Sequence, residues 1–351
     1  MITATACPSA PLTAWLAAHA PAVQVGDQPV RVHQISGGRS NLTFRLLDDA
    51  GRSWALRRPP LGGTQATAHD MDREWRFIEA LHSTPVPVPR GVAFCADQGV
   101  IGAPFYVMEF VDGVVPGSRE EGLSMAPDSR GAASLACADV LAALHAVDPR
   151  EAGLGDFERP GGFVERQLRR WHRQVSSAGV SDLGPFDAVR ARLHERIPAD
   201  PRPVVVHGDF RPGNLAFDGS GAVAAVFDWE LASLGDPMVD VGWLVASWER
   251  PGRDVVTITS GPTALDGWLD VDDLVARYAE RSGIGDRIAY LDYFRAFALW
   301  RSACIGAGVF RRYASGRMGV DQAEGEAVMT ARLASVRAQL AAAHDALDRA
   351  P

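Results

Sequence analysis

The chain has no lysine, so 35 arginines carry all of its basic side-chain charge against 43 aspartates and glutamates. The formal net charge is −8. Because binding to a phosphodiester backbone usually requires a strongly basic face, this balance argues against nucleic acid as a main partner.

Cysteine is scarce and scattered. The four residues are Cys7, Cys95, Cys137 and Cys304. They form no Cys-x-x-Cys pair, and no Cys/His metal-binding pattern is visible. Reduced and mostly buried thiols are therefore expected.

Long apolar runs are also missing. No charge-free stretch reaches the roughly 18 residues that a membrane-spanning helix needs, so we expect no membrane partner. No basic residue precedes Arg31, which removes the charged start of a secretory signal. The sequence thus predicts a cytoplasmic protein, and it carries no signal of oligomeric state.

Two domains are predicted, residues 1–111 and 112–351, because 351 residues with 47% hydrophobic content can build a large core. The first domain shows five short β-prone runs and one amphipathic helix over 69–82. The second changes to helical periodicity from Arg130 onward. An α+β architecture follows, with a small antiparallel sheet and a larger helical part.

A polar loop between two apolar runs is the main chemical feature. Val-Val-Val at 204–206 is followed by His207, Gly208, Asp209 and, five residues further, Asn214. A second apolar run then ends at Asp228. Asp and Asn provide hard oxygen ligands suited to Mg²⁺, and a further carboxylate can accept a hydroxyl proton.

The interval Asp-x-x-x-x-Asn is that of the phosphotransferase catalytic loop. With His-Gly-Asp in front, the chain resembles the aminoglycoside-phosphotransferase-like family, which shares the bilobal protein-kinase-like fold. Leu-Arg-Arg-Pro-Pro at 56–60 and Asp-Trp-Glu-Leu-Ala-Ser-Leu-Gly-Asp-Pro at 228–237 are similar to the family members associated with acyl-CoA dehydrogenases.

This resemblance implies ATP- and Mg²⁺-dependent transfer of a phosphoryl group to the hydroxyl of a small molecule. Asp209 would be the catalytic base, with Asn214 and Asp228 as the metal ligands. His207 and Asp240 would support the loop.

The resemblance places nucleotide binding in the first domain. Its candidate residues are a glycine-containing loop (Gly37, Gly38, Ser40, Asn41) and a hinge that contacts adenine (Glu109, Phe110). Taken alone, the loop is equally consistent with an ordinary hairpin connection.

Arg57 falls where the kinase scaffold has a strand lysine that binds phosphate and pairs with a helix glutamate, here Glu74. Arg58 competes for the phosphate role, and a solvated arginine pair is the alternative. Glu74 could instead be an exposed partner of a neighbouring arginine.

The acceptor depends on charge. Arg166, Arg170 and Arg173 share one stripe of a predicted helix, and further arginines follow between 295 and 312. A solvated face is the alternative to an anion-binding wall. The wall, together with the resemblance, favours a hydroxyacyl-CoA or a hydroxy acid.

Three other functions stay open at this point. One is an aminoglycoside or other antibiotic kinase, and another is a nucleotide-binding pseudokinase that lacks the strand lysine. A protein kinase is disfavoured because Asp228 is followed within a few residues by a predicted helix, which leaves no long activation segment.

Overall fold

The computed structural model describes residues 7–37, 41–60, 65–250, 252, 255–259, 261–314 and 322–351. The chain divides into two compact units. The first consists of Met1–Gly113 and Ala224–Ala232, and the second of Val114–Val223 and Ser233–Pro351.

The first unit contains a five-stranded antiparallel sheet in the order β1-β2-β3-β5-β4. The strands are β1 (Arg31–Gly37), β2 (Leu42–Leu47), β3 (Ser53–Arg58), β4 (Gly91–Cys95) and β5 (Phe105–Glu109). Apolar side chains of neighbouring strands stand opposite one another, as Leu56 does with Phe44 and Val107. The predicted antiparallel sheet is confirmed.

Three helices accompany this sheet. They are α1 (Ser9–His19), α2 (Gln65–Leu81) and α3 (Gln98–Ile101). Leu12 and Leu16 of α1 are fully buried in one apolar cluster with Leu56 and Phe105 of the sheet. In α2, the apolar face includes Met71, Ile78 and Leu81, all buried. This packing sets α2 beside β3 and β5.

The segment 224–232 packs in the first unit, although a linear division of the sequence put it in the second domain. The Val226 amide donates to the Pro87 carbonyl at 2.8 Å, and Trp229 stacks on Phe77 with ring centroids 6.5 Å apart. This return brings Asp228 into the unit that contains Arg57.

The second unit is mainly helical. Its helices are α4 (Arg119–Gly122), α5 (Pro127–Ala146), α6 (Phe163–Ala178), α7 (Phe186–Glu195), α8 (Met238–Ser247), α9 (Val271–Ser282), α10 (Leu291–Ala314) and α11 (Gln322–Arg349). Its short strands are β6 (Val204–Val206), β7 (Leu215–Phe217) and β9 (Ser233–Gly235), whereas β8 (Val223–Val226) begins the segment that packs in the first unit. β6 and β9 pair antiparallel.

Helices α8 and α10 approach closely at Gly242. A Cβ atom there would lie 2.5 Å from the backbone of Phe294, so only glycine allows this contact. Phe294, Phe297 and Trp300 of α10 are completely buried. The close packing sets the side chains of α8 directly against α10, next to the predicted catalytic loop.

The cysteine thiols and the apolar character of the helices are two further features of the fold. Cys7, Cys95, Cys137 and Cys304 are buried free thiols, as predicted. Within the described ranges, no helix combines the length and apolar character needed to cross a membrane.

Candidate active site

Asp240 of α8 holds the loop that follows β6. This carboxylate is completely buried and accepts hydrogen bonds from the backbone amides of His207 and Gly208, each at a length of 2.7 Å. His145 lies 3.3 Å from it through Nε2. Burial alone would raise the pKa of Asp240, but its contacts with His145 and with the loop amides hold that pKa below its usual value. The loop is therefore anchored on an ionised carboxylate.

Gly208 takes a left-handed conformation, with φ of 85°. A side chain at this position would be strained, so glycine is required for the sharp turn between His207 and Asp209. His207 is fully buried, and its Nδ1 accepts the Asp209 amide at 3.1 Å. This contact accounts for His207 as a loop support.

Both oxygens of the Asp209 carboxylate are fixed by neighbours. The Trp243 indole donates to Oδ1 at 2.6 Å, and Asn214 Nδ2 donates to Oδ2 at 2.8 Å. Arg211 Nε lies 3.4 Å from Oδ1. The Asp209 side chain nevertheless remains 21% exposed, so a hydroxyl could reach it. Because Asn214 uses its amide nitrogen here, its Oδ1 atom keeps its acceptor capacity for another ligand.

An unexpected cation supports the same loop. Arg301 of α10 is only 4% exposed and donates to the Gly208 carbonyl. Its guanidinium lies over the rings of Trp243 and Trp171, 4.2 and 5.7 Å from their centroids. Sequence analysis assigned no site role to Trp243, and it counted Arg301 only among the arginines between 295 and 312 that could bind an anionic acceptor; its burial does not fit an exposed wall. Trp243 lies three residues after Asp240 on one helix, so helical spacing could have predicted that both side chains face the same loop.

In the first unit, Arg57 and Glu74 form a buried ion pair. Arg57 Nε lies 2.8 Å from Glu74 Oε2, and Nη2 lies 3.3 Å from Oε1. Tyr106 and Asn41 donate to the same carboxylate at 2.7 and 2.9 Å. Burial alone would lower the pKa of Arg57, but Glu74 and Asp228 raise it well above its usual value. Glu74 is fully buried, so it is not an exposed helix partner.

Asp228 completes this cluster by accepting a hydrogen bond from Arg57. It has a left-handed backbone with φ of 67°, which is unusual for a residue other than glycine. Carboxylate oxygens of Glu74, Asp228 and Glu230 lie within 4.8 Å of one another. Glu74 is already saturated by its donors, whereas Asp228 is 26% exposed. Oxygen atoms at Asp228 and Glu230 fit the preference of Mg²⁺ for hard ligands.

Arg58, the competing phosphate partner, is fully buried. Its guanidinium lies 5.8 Å from the centroid of the Phe44 ring, and Nη1 is 3.4 Å from the Ile101 carbonyl. Adjacent residues of a strand point to opposite faces, so Arg58 turns away from the side on which Arg57 meets Glu74. Of the two arginines, Arg57 is the one that joins the carboxylate cluster.

The predicted nucleotide loop is only partly described. Gly37 ends β1, paired with Leu42, whereas Gly38 and Ser40 lie outside the described residues. Asn41 is buried; besides Glu74, its amide nitrogen approaches Glu230 at 3.4 Å.

The predicted adenine hinge ends β5. The Glu109 amide donates to the Arg90 carbonyl at 2.9 Å, and its exposed carboxylate lies 4.0 Å from Arg90. The guanidinium of Arg45 lies 4.6 Å from the centroid of the Phe110 ring. Adenine binding by Glu109 and Phe110 stays a prediction.

The arginine stripe of α6 does not behave as one surface. Arg166 turns back to the carbonyls of residues 159–161, which include Arg159 at 3.2 Å. Arg170 and Arg173 are exposed. The Arg170 guanidinium lies 5.1 Å from the centroid of Trp171, the ring that also contacts Arg301. Arg170 and Arg301, which contacts the loop after β6, thus share the Trp171 ring.

Known proteins resemble this chain in sequence and in structure. The model of the phosphotransferase enzyme family known as APH matches residues 31–274. A solved structure of a candidate aminoglycoside phosphotransferase from Ralstonia eutropha JMP134 is 31% identical. It covers 95% of this chain and 98% of its own, with a TM-score of 0.74.

Two curated relatives are much longer proteins. Acyl-CoA dehydrogenase family member 11 of Gallus gallus is 33% identical over 309 residues, which is 86% of this chain and 39% of the relative. Family member 10 of Mus musculus is 32% identical over 316 residues, 88% of this chain and 29% of the relative. The chain therefore spans well under half of their length. The family model and the solved structure together show that this chain belongs to the APH phosphotransferase enzyme family and has its kinase-like fold.

Proposed function

We propose that this chain transfers the γ-phosphoryl group of ATP to the hydroxyl of a small molecule, with Mg²⁺ as its metal. The proposal rests on how the Asp209 carboxylate is oriented and how exposed it is. Its two oxygens are oriented by Trp243 and Asn214, yet the carboxylate stays open enough to meet a hydroxyl. A carboxylate oriented and exposed in this way can meet an acceptor hydroxyl in a defined geometry, as a general base requires.

The transition state of phosphoryl transfer is loose, so an enzyme contributes mainly positioning and neutralisation of charge. In this proposal, Asp209 orients the acceptor hydroxyl and takes its proton. Arg57 binds phosphate, and its raised pKa keeps the guanidinium charged at every accessible pH. Arginine can bind phosphate through two parallel hydrogen bonds, which a lysine ammonium cannot do.

For the metal, we propose the amide oxygen of Asn214 and the carboxylate of Asp228 as ligands. Both are hard oxygen donors, and the Asn214 nitrogen is already used by Asp209. When bound, Mg²⁺ would neutralise charge on the phosphate oxygens.

We further propose an anionic acceptor, a hydroxyacyl-CoA or a hydroxy acid. The similarity to acyl-CoA dehydrogenase family members 10 and 11 supports this class, as do the exposed cations of Arg170 and Arg173. A competing acceptor is an antibiotic. Viomycin phosphotransferase of Streptomyces vinaceus is 28% identical over 215 residues, 57% of this chain.

The test uses γ-labelled ATP, Mg²⁺ and a panel of hydroxyacyl-CoAs, hydroxy acids, viomycin and aminoglycosides. With the wild type we expect label in a phosphorylated hydroxyacyl-CoA or hydroxy acid. With Asp209→Asn we expect no labelled product, while the affinity for ATP stays within about twofold of that of the wild type. Turnover by Asp209→Asn within about tenfold of wild type, roughly 1.4 kcal/mol of barrier, would remove Asp209 as the base. ATP binding with no labelled product would indicate a pseudokinase.

The acceptor class has its own test. Arg170→Glu should raise the KM for an anionic acceptor, whereas Arg169→Glu makes the same charge change at the neighbouring exposed position, where the arginine pairs with Glu165. Equal KM values for the two variants would contradict a role of Arg170 in acceptor binding.

A further inference from the structure

We infer that Trp243 and Arg301 are positioning residues that fix the Asp209 carboxylate in the orientation needed to accept a proton. This inference rests on the proposed function, since it assigns how the base of that reaction is aligned. It concerns residues of the second unit alone, and in this assignment both residues act through Asp209 and its loop rather than on the substrate.

Trp243 acts through one hydrogen bond. Its indole nitrogen donates to Asp209 Oδ1 at 2.6 Å. An indole has a single donor and no acceptor, so this contact has one possible direction. Asn214 donates to the other oxygen at 2.8 Å. With Arg211 Nε also 3.4 Å from Oδ1, each oxygen has its own neighbour, which restricts rotation of the carboxylate.

Arg301 fixes the indole and the loop together. Its flat guanidinium lies 4.2 Å from the centroid of the Trp243 ring, within the range of a cation–π contact. The same guanidinium donates to the carbonyl of Gly208, the residue directly before Asp209. The close approach of α8 and α10 at Gly242 makes both contacts possible. One side chain therefore sets the angle of the indole and the path of the backbone that carries the base.

The burial of this cation argues against a simple packing role. Arg301 is 4% exposed, and its contacts in the described part of the chain are a backbone carbonyl and two indole rings rather than a carboxylate. Its Nε has no hydrogen-bond partner there. Burial lowers the pKa of Arg301 to about 10, although Asp209 and Asp240 oppose this shift. An apolar side chain would fill the same space without desolvating a charge.

The test compares two tryptophans near the same helix. Trp243→Phe keeps the ring under Arg301 but removes the donor to Asp209. Trp248→Phe is the matched control, because the Trp248 indole donates instead to the Leu269 carbonyl at 3.1 Å. For Trp243→Phe we expect kcat to fall by about tenfold to a hundredfold, the upper figure being the cost of a catalytic group misplaced by about 1 Å, with KM and ATP affinity unchanged. A kcat within about twofold of the control variant would overturn the inference.

Arg301→Lys is a second variant, which keeps the charge and loses the flat stacking surface. It should also lower kcat without changing ATP affinity. A kcat equal to that of wild type would remove Arg301 from the assignment.

A spectroscopic measurement separates failure of this inference from failure of the proposed function. In ¹⁵N-labelled protein, the indole N–H resonance of Trp243 should shift in Asp209→Asn, while that of Trp248 should not. If no acceptor is phosphorylated, the proposed function fails but this contact is still tested. An unmoved Trp243 resonance overturns the positioning role whatever the activity.

Discussion

Replacing Glu74 with glutamine tests the ion pair of the first unit. The carboxylate accepts four hydrogen bonds, two from Arg57 and one each from Tyr106 and Asn41. Glutamine has nearly the same shape, but one of its two terminal atoms is a donor. In one orientation the amide nitrogen faces Arg57 Nη2 and Asn41, and in the other it faces Arg57 Nε and Tyr106, whose hydroxyl can turn to accept. In either orientation one donor of Arg57 meets another donor, and the charge opposite Arg57 is lost.

The size of the effect follows from burial. Removing one partner of a buried ion pair costs roughly 3–5 kcal/mol, and a hydrogen bond to a charged group contributes about 1.5–3 kcal/mol. Arg57 keeps its contact with Asp228, which lowers the cost. We therefore expect Glu74→Gln to destabilise the first unit by about 3 kcal/mol, or about a hundredfold in its opening equilibrium.

Hydrogen–deuterium exchange of peptides from β3 and α2 measures this change in the first unit alone. Glu79→Gln is the control, since Glu79 lies on the same helix and is exposed. Its effect should stay within about 0.5 kcal/mol. Exchange rates for Glu74→Gln within about threefold of the control would refute the reasoning.

Three further changes have defined outcomes. Asp240→Asn should destabilise the protein most above about pH 4: the lowered pKa of Asp240 contributes stability that is present above its unfolded pKa and lost as the pH falls through the folded value. Urea midpoints of variant and wild type should therefore converge in acid, and a constant gap would contradict this. Gly242→Ala should cost about 1–3 kcal/mol through its clash with Phe294, whereas Gly131→Ala in α5, with 3.5 Å to its nearest neighbour, should stabilise by about 0.5–1 kcal/mol. Equal shifts in thermal unfolding would exclude the clash. Asp228→Ala should make nucleotide affinity independent of Mg²⁺, and calorimetry that still shows a metal effect would argue against it as a ligand.

Local patterns were enough to predict the five-stranded sheet and α2. The five strands were predicted from short, β-prone apolar runs, and α2 from apolar residues at helical spacing. The same reasoning marked Glu74, since a carboxylate beside a buried helix face needs a partner. The ion pair with Arg57 that the structure contains answers that need.

Contacts between distant positions could not be read in the same way. Helical spacing from Asp240 could have indicated Trp243, but no local spacing reports that α8 and α10 touch at Gly242, so the contact of Arg301 with the same loop could not be predicted. The stripe of α6 shows the opposite error. Shared helical spacing grouped Arg166 with Arg170, but Arg166 donates hydrogen bonds to the carbonyls of residues 159–161 instead of facing the same surface. Side-chain partners supplied by loops leave no periodic signal.

The arginine at position 57 also has a practical consequence for chemical labelling. Reagents that mark phosphate-binding sites by acylating an amine need a nucleophilic lysine, and these 351 residues contain none. The guanidinium of Arg57 stays protonated, because Glu74 and Asp228 raise its pKa further. A survey based on amine-reactive nucleotide probes would therefore pass over this site even if it bound nucleotide tightly. Competition binding, or reagents directed at guanidinium groups, would be needed to detect it.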